Sequence, residues 1–157
     1  MARFSRKGVS KILFLETIAA TTYIPTRAEL TAGTDYTKAI AAMDGWSIEN
    51  SPIETPDMAS KFVAKIPGDD AAADSSLTFW EDDVLDDIET DLAKGTEGFI
   101  VILNKGDVPS GKGMNVFPVT VASNTPAYTA DNEAAQIAVQ FSITDRPLQN
   151  GTVPAAT

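Results

Sequence analysis

From residue 136 to 145, large apolar side chains alternate with small or polar ones: Ile137, Val139, Phe141 and Ile143 against Ala138, Gln140, Ser142 and Thr144. A period of two places the four large groups on one face of a pleated strand, whereas a helix repeats every ~3.6 residues. Such a segment can only be a half-buried strand. Leu77 and Phe79 alternate in the same way with Thr78 and Trp80, as do Phe117, Val119 and Val121 with Val116, Pro118 and Thr120. Pro118 has no donor for a ladder, so an edge or a bulge is expected there. Residues 99–103, Phe-Ile-Val-Ile-Leu between Gly98 and Gly106, read as a strand covered on both faces. Residues 11–24, 45–55 and 59–66 are further extended candidates.

One helix is expected over residues 82–94. Asp82 or Asp83 can cap it, Leu85, Ile88 and Leu92 recur at helical spacing, and Lys94 and Gly95 end it. Its outer face would carry Asp83, Asp86, Asp87 and Asp91. A weaker helix is expected over 35–43, capped by Thr34 and anchored by Ile40 and Met43. Residues 67–75, 104–115 and 123–132 read as loops, and 147–157 as an extended C-terminal arm. The expected organisation is a basic N-terminal arm (1–10), a single domain (11–146) and that C-terminal arm. Its fold class is mainly β: an antiparallel β-sandwich or partly closed barrel with one amphipathic helix. A chain of 16.7 kDa folded compactly exposes about 7,600 Å².

Composition removes most catalytic chemistry. The 157 residues include no cysteine and no histidine, which excludes disulfides, thiol nucleophiles, Cys/His zinc sites and histidine acid–base steps. Neither a cofactor nor an enzymatic activity is expected. The net charge is −10, a poor basis for gripping phosphate backbones. Residues 69–97 hold eleven acids against Lys94 alone, so the rest of the chain is neutral. Arg3, Arg6, Lys7 and Lys11 all precede the first acid, Glu16. That separation suggests self-complementary charge, although a solubilising tail accounts for it equally. The apolar run 12–15 is too short for a secretory h-region of ~7–15 residues or a membrane span of ~18.

Three motifs invite a functional reading and lose it. Gly106-Asp-Val-Pro-Ser-Gly111-Lys112-Gly113 matches a phosphate-binding loop, but Gly113 replaces the magnesium-holding hydroxyl and an extended segment follows where a helix is needed. Glu81, Asp82, Asp83, Asp86 and Asp87 could bind a cation or divide acid and base roles in a hydrolase, yet no glycine-turned calcium loop accompanies them. A solvated helix face is the better reading. Trp46 and Trp80 could stack on sugars in a carbohydrate-binding β-sandwich module, the alternative function, but strand aromatics more often fill cores or interfaces.

Read in order, several segments resemble the major tail tube proteins of long-tailed, siphovirus-type bacteriophages of actinobacteria. They are Tyr23-Ile-Pro25-Thr26-Arg-Ala-Glu29-Leu30-Thr-Ala-Gly33-Thr34-Asp35, Ile40, Gly45-Trp46, Ile53-Glu-Thr-Pro56-Asp57, Ile66-Pro67-Gly68 and Asp74-Ser75-Ser76-Leu77-Thr78-Phe79. Gly95-Thr-Glu-Gly98-Phe99-Ile-Val-Ile, Val116-Phe117-Pro118-Val119 and Asn132-Glu133-Ala134-Ala135 complete the series. The resemblance covers roughly residues 11–147 and implies a structural subunit whose hexameric rings stack into a hollow tube in the virion tail, assembled in the host cytoplasm. It implies a long hairpin lining an inner barrel, here residues 46–66, with Glu49, Glu54 and Asp57 facing the channel. Chain ends and loops that bridge subunits or rings place Arg3, Arg6, Lys7, Lys105, Lys112, Asp83 and Asp87 at contacts. The implied partners are further copies, a tape-measure protein, a tail terminator and tail-tip proteins. Double-stranded DNA would pass transiently without stable binding, and no membrane is involved.

Overall fold

The computed structural model describes residues 2–84 and 87–156. Its strands are β1 (Lys11–Leu15), β2 (Thr34–Asp35), β3 (Ile40–Asp44), β4 (Ile48–Asn50), β5 (Ile53–Thr55), β6 (Ala64–Ile66), β7 (Asp70–Ala72), β8 (Ser75–Trp80), β9 (Glu97–Leu103), β10 (Lys112–Ala127), β11 (Gln136–Ile143) and β12 (Leu148–Thr152). Helix α1 (Arg27–Ala32) follows β1, and α2 (Asp87–Asp91) follows β8. The main sheet runs β2-β1-β9-β10-β11-β8-β3, with β12 added to β10, and every pairing is antiparallel.

Alternation decides which side chains meet inside. Ile12 and Phe14 of β1, Ile100 of β9, Phe117, Val119 and Val121 of β10, Ile137, Val139 and Phe141 of β11, and Leu77 and Phe79 of β8 form one buried cluster with Ile88 and Leu92. Tyr36 joins its two sides, with ring centroids 6.5 Å from Phe14 and 5.4 Å from Phe79. On a flat sheet those strands would stand about 19 Å apart at ~4.8 Å per spacing. The sheet therefore curls around this core, and it stays open between β2 and β3, which residues 36–39 connect. The opposite face of β1, β9 and β10 buries Leu13, Leu15, Val101, Leu103, Met114 and Val116 beneath Leu30 of α1 and Val153.

Several local expectations need correction. Residues 35–43 form no helix: Ile40 and Met43 lie opposite Phe79 and Leu77 across the β3–β8 ladder, where pairing along the edge of the sheet outweighs helix propensity. A helix lies instead at 27–32, where Thr26 and Glu29 form a reciprocal capping box. The acidic helix is short, and Leu85 and Asp86 fall outside the described residues. The loop expected at 67–75 contains β7, while β10 takes residues from both the 104–115 and 123–132 stretches. The C-terminal stretch is not an extended arm: β12 pairs with β10, and Val153 is 2% exposed.

Pro118 lies within β10 without costing a ladder bond. It stands opposite Phe99 of β9, and its carbonyl accepts from the Thr144 N–H. The nitrogen and carbonyl of a strand residue point the same way, so its missing donor faces the place where β11 ends and β12 begins. In place of the edge or bulge expected at Pro118, the register of β10 shifts on either side of it, between Lys112 and Val116 against β12 and between Val121 and Ser123 against β11.

Candidate functional site

The extended candidates at 45–55 and 59–66 belong to one long hairpin. Its root pairs Ile48 with Ala72 and Asn50 with Asp70, and its outer part pairs Ile53 with Ile66 and Thr55 with Ala64. Pro52 on one arm and Pro67 on the other lie between the two ladders. The expected span of 46–66 therefore covers the outgoing arm and only half of the return, which continues through Ala72. Gly45 makes the exit from β3 possible. Its φ is +81°, and a Cβ there would collide with the Asp74 carbonyl.

The hairpin projects from the body. Every residue from Glu49 to Pro67 is exposed, including Ile53, Met58, Phe62, Val63 and Ile66. Its root is linked to the body through Arg146, whose guanidinium lies 2.6 Å from Asp70. The Asn50 amide also donates to Asp70, at 2.6 Å, and binds the Gly68 backbone in both directions. These contacts, first Asn50 and then Arg146, hold the Asp70 carboxyl below the ordinary aspartate range. On the other side of Arg146, Asp145 accepts from the Tyr23 hydroxyl.

The three expected channel residues are all on this hairpin and are distinct in setting. Glu49 stands opposite Ala71 at the root. Glu54 stands opposite Lys65, with their charges 3.9 Å apart. Asp57 accepts from Ala59 N–H and Ser60 N–H and shapes the tip. Residues 48–72 carry five acids and two lysines, with Glu49, Asp69 and Asp70 concentrating the negative charge near the root.

The expected contact residues fall into two groups. Arg3, Arg6 and Lys7 are exposed on an N-terminal segment whose root lies beside the turn holding Lys105: the Ser10 hydroxyl donates to the Asn104 carbonyl at 2.6 Å. Lys112 opens β10 opposite Thr152. Asp83 and Asp87 are exposed just before and within α2. Among the described residues, no group of three or more acidic side chains is arranged to hold a metal ion. The phosphate-loop resemblance at 106–113 ends in strand β10, where a nucleotide site would need a helix.

Trp46 serves the core. Its ring packs on Phe117 and Phe141 at 5.3 and 5.5 Å, and its indole N–H donates to the Ser76 carbonyl. Those faces are unavailable to a sugar. Trp80 is 43% exposed and lies in a groove beside α2. Sequence reasoning passed over Arg27, which donates to the carbonyls of Pro154 and Ala155 and to the Asp107 carboxylate. Its position at the start of a capped helix was legible, but its distant partners were not.

The main feature standing off the curled antiparallel sheet is the projecting hairpin. The family model described as phage tail tube protein matches residues 1–156. The chain belongs to the phage tail tube protein family. No curated protein matches the sequence. Among solved structures, a chain of the anti-feeding prophage baseplate, 6-fold symmetrised, is similar at 11% identity and TM-score 0.63, covering 95% of this chain and 98% of that one. A chain from the sheath/tube terminator of an extracellular contractile injection system in the extended state has 12% identity and TM-score 0.61, with coverage of 91% and 94%. A chain from the tail of an empty gene transfer agent particle, computed with C6 symmetry, has 14% identity and TM-score 0.54, with coverage of 96% and 100%. At these identities the likeness is one of fold. The tail tube chain is thus a structural component of the virion tail and not an enzyme.

Proposed function

We propose that this tail tube subunit assembles into hexameric rings that stack into a tube through which double-stranded DNA passes. The observation that carries the reading is surface area. The chain exposes 10237 Å², against about 7,600 Å² for a compact monomer of its mass. The excess, roughly 2,600 Å², exceeds the ~800 Å² that each partner commonly contributes to one stable interface. The hairpin adds to it, and its exposed Ile53, Met58, Phe62 and Ile66 gain by being covered.

In this reading the hairpins of neighbouring copies associate around the bore, which removes exposed strand edges. Glu49, Glu54 and Asp57 then contribute to the lining, with Lys65 tempering Glu54. A lining with excess acid repels phosphates, so DNA slides without the counterion release that would hold it. Ring stacking is heterologous and open-ended, so other tail components set its length. That role falls to a tape-measure protein, with terminator and tip proteins at the ends and assembly in the host cytoplasm.

Electron microscopy of the purified chain, alone and with preformed tail tips as nuclei, tests the reading. Six-membered rings or tubes with residues 48–72 around the bore are expected. A chain that stays monomeric at every concentration and with every nucleus overturns it, as does a tube with its hairpins outward.

A further inference from the structure

We propose that the groove between α2 and residues 34–39 receives the basic N-terminal segment of a second copy of this chain. This rests on the tube reading and specifies one contact within it. The groove has a volume of about 370 Å³, an apolar floor that includes Trp80, Ile88 and Ile137, and carboxylates of Glu81, Asp87 and Glu89 along its lining. Lys38 is a basic residue in that lining. Such a trough favours a short peptide with an apolar anchor between cations, because the ring is buried while the charges meet the rim.

The N-terminal segment has this pattern. Residues 2–9 carry Arg3, Phe4, Arg6 and Lys7 and no acid, and Phe4 is 55% exposed. The half-exposed indole of Trp80 offers a face for Phe4 or for a guanidinium. The hairpin stretch 61–66 also sets an exposed aromatic, Phe62, between Lys61 and Lys65, but Glu54 faces Lys65 at 3.9 Å and the hairpin as a whole carries more acids than lysines. Charge therefore selects the N-terminal segment.

Within one copy that segment is rooted beside the β9–β10 turn. The Arg6 carbonyl accepts from the N–H groups of Val9 and Ser10, turning the chain, and Ser10 is held on Asn104 beside the β9–β10 turn. Donor segment and receiving groove are different surfaces, so a one-way union repeats head to tail and leaves a free segment and a free groove at the ends of a stack, whereas a reciprocal exchange would close as a dimer. The one-way union is the contact an open-ended polymer needs.

The absence of cysteine makes cross-linking clean. A chain carrying Ser5→Cys beside the anchor and Thr34→Cys on the groove lining, mildly oxidised, is expected to give a ladder of linked copies. A link confined to single chains, or none, overturns the proposal. A synthetic peptide of residues 2–10 should bind the full chain saturably, weaken at least tenfold between low and high salt, and lose binding with Glu81→Lys plus Glu89→Lys. In assembly, that pair or Arg3→Glu plus Arg6→Glu should each reduce stacking, and combining the two reversals should restore it. Peptide binding that is absent or indifferent to these charges overturns the contact. Microscopy of the unaltered chain judges the tube separately: tubes without links between positions 5 and 34 remove only this contact, whereas links without rings remove only the tube.

Discussion

Arg146 and Asp70, 2.6 Å apart, tie the turn between β11 and β12 to the root of the projecting hairpin. The pair acts on orientation more than on folding, because both groups lie at the surface, where an ion pair adds little to stability. Arg146→Gln is expected to leave the thermal midpoint nearly unchanged while speeding hydrogen exchange at residues 48–50 and 70–72 and reducing tube yield. The exchange Asp70→Arg plus Arg146→Asp should recover both. The depressed Asp70 value sets the pH sign: the tie is present above the ordinary aspartate value of ~3.9 and is lost as pH falls through the lower folded value. Exchange at the hairpin root should therefore accelerate only in strong acid.

Tyr36 gives the opposite pH dependence. Burial first, and then the Asp91 carboxylate, push its phenol far above the ordinary tyrosine value. Below ~10 both folded and unfolded chains keep the proton and its contribution is complete. Above ~10 the unfolded chain ionises while the folded one does not, so stability falls as pH rises towards the raised folded value. Thermal midpoints measured from pH 8 to 11 should decline more steeply for the unaltered chain than for Tyr36→Phe.

Removing residues 148–157 should be costly. Val153 is buried in the second core cluster, and burying a valine is worth ~1.5–3 kcal/mol. The truncation also strips Arg27 of two carbonyl partners and β10 of a neighbour. A drop well beyond that of Val153→Ala is expected by urea denaturation.

Gly45→Ala is expected to destabilise by about 2 kcal/mol or more, since it combines a left-handed backbone with a collision against Asp74. Ser47→Ala, two residues on and exposed, is the matched control and should change the denaturation midpoint little.

The strands of the curled core were legible because their alternation is set by burial on one face: Leu77 and Phe79, then Ile137, Val139 and Phe141, sit inside as the spacing predicts. β12 was not, because Gln149, Asn150 and Gly151 carry no apolar period and the strand exists through backbone pairing to β10. The signal for α1 was present in Thr26 and Glu29, a spacing readable as a capping box. The hairpin was visible as extended chain, but its return through β7 was hidden in Asp69-Asp70-Ala71-Ala72, which looks like a loop. The Trp80 groove joins residues from 34 to 137 and has no local signature.

β10 leans on β9, β11 and β12 at once, so none of the three can detach without leaving it half-clad. For the body, partial opening and complete collapse become nearly the same event. The hairpin lies outside that ribbon and can fray and re-form alone. Mechanically the molecule is a stiff block with a supple tongue, and a protease should find the tongue first.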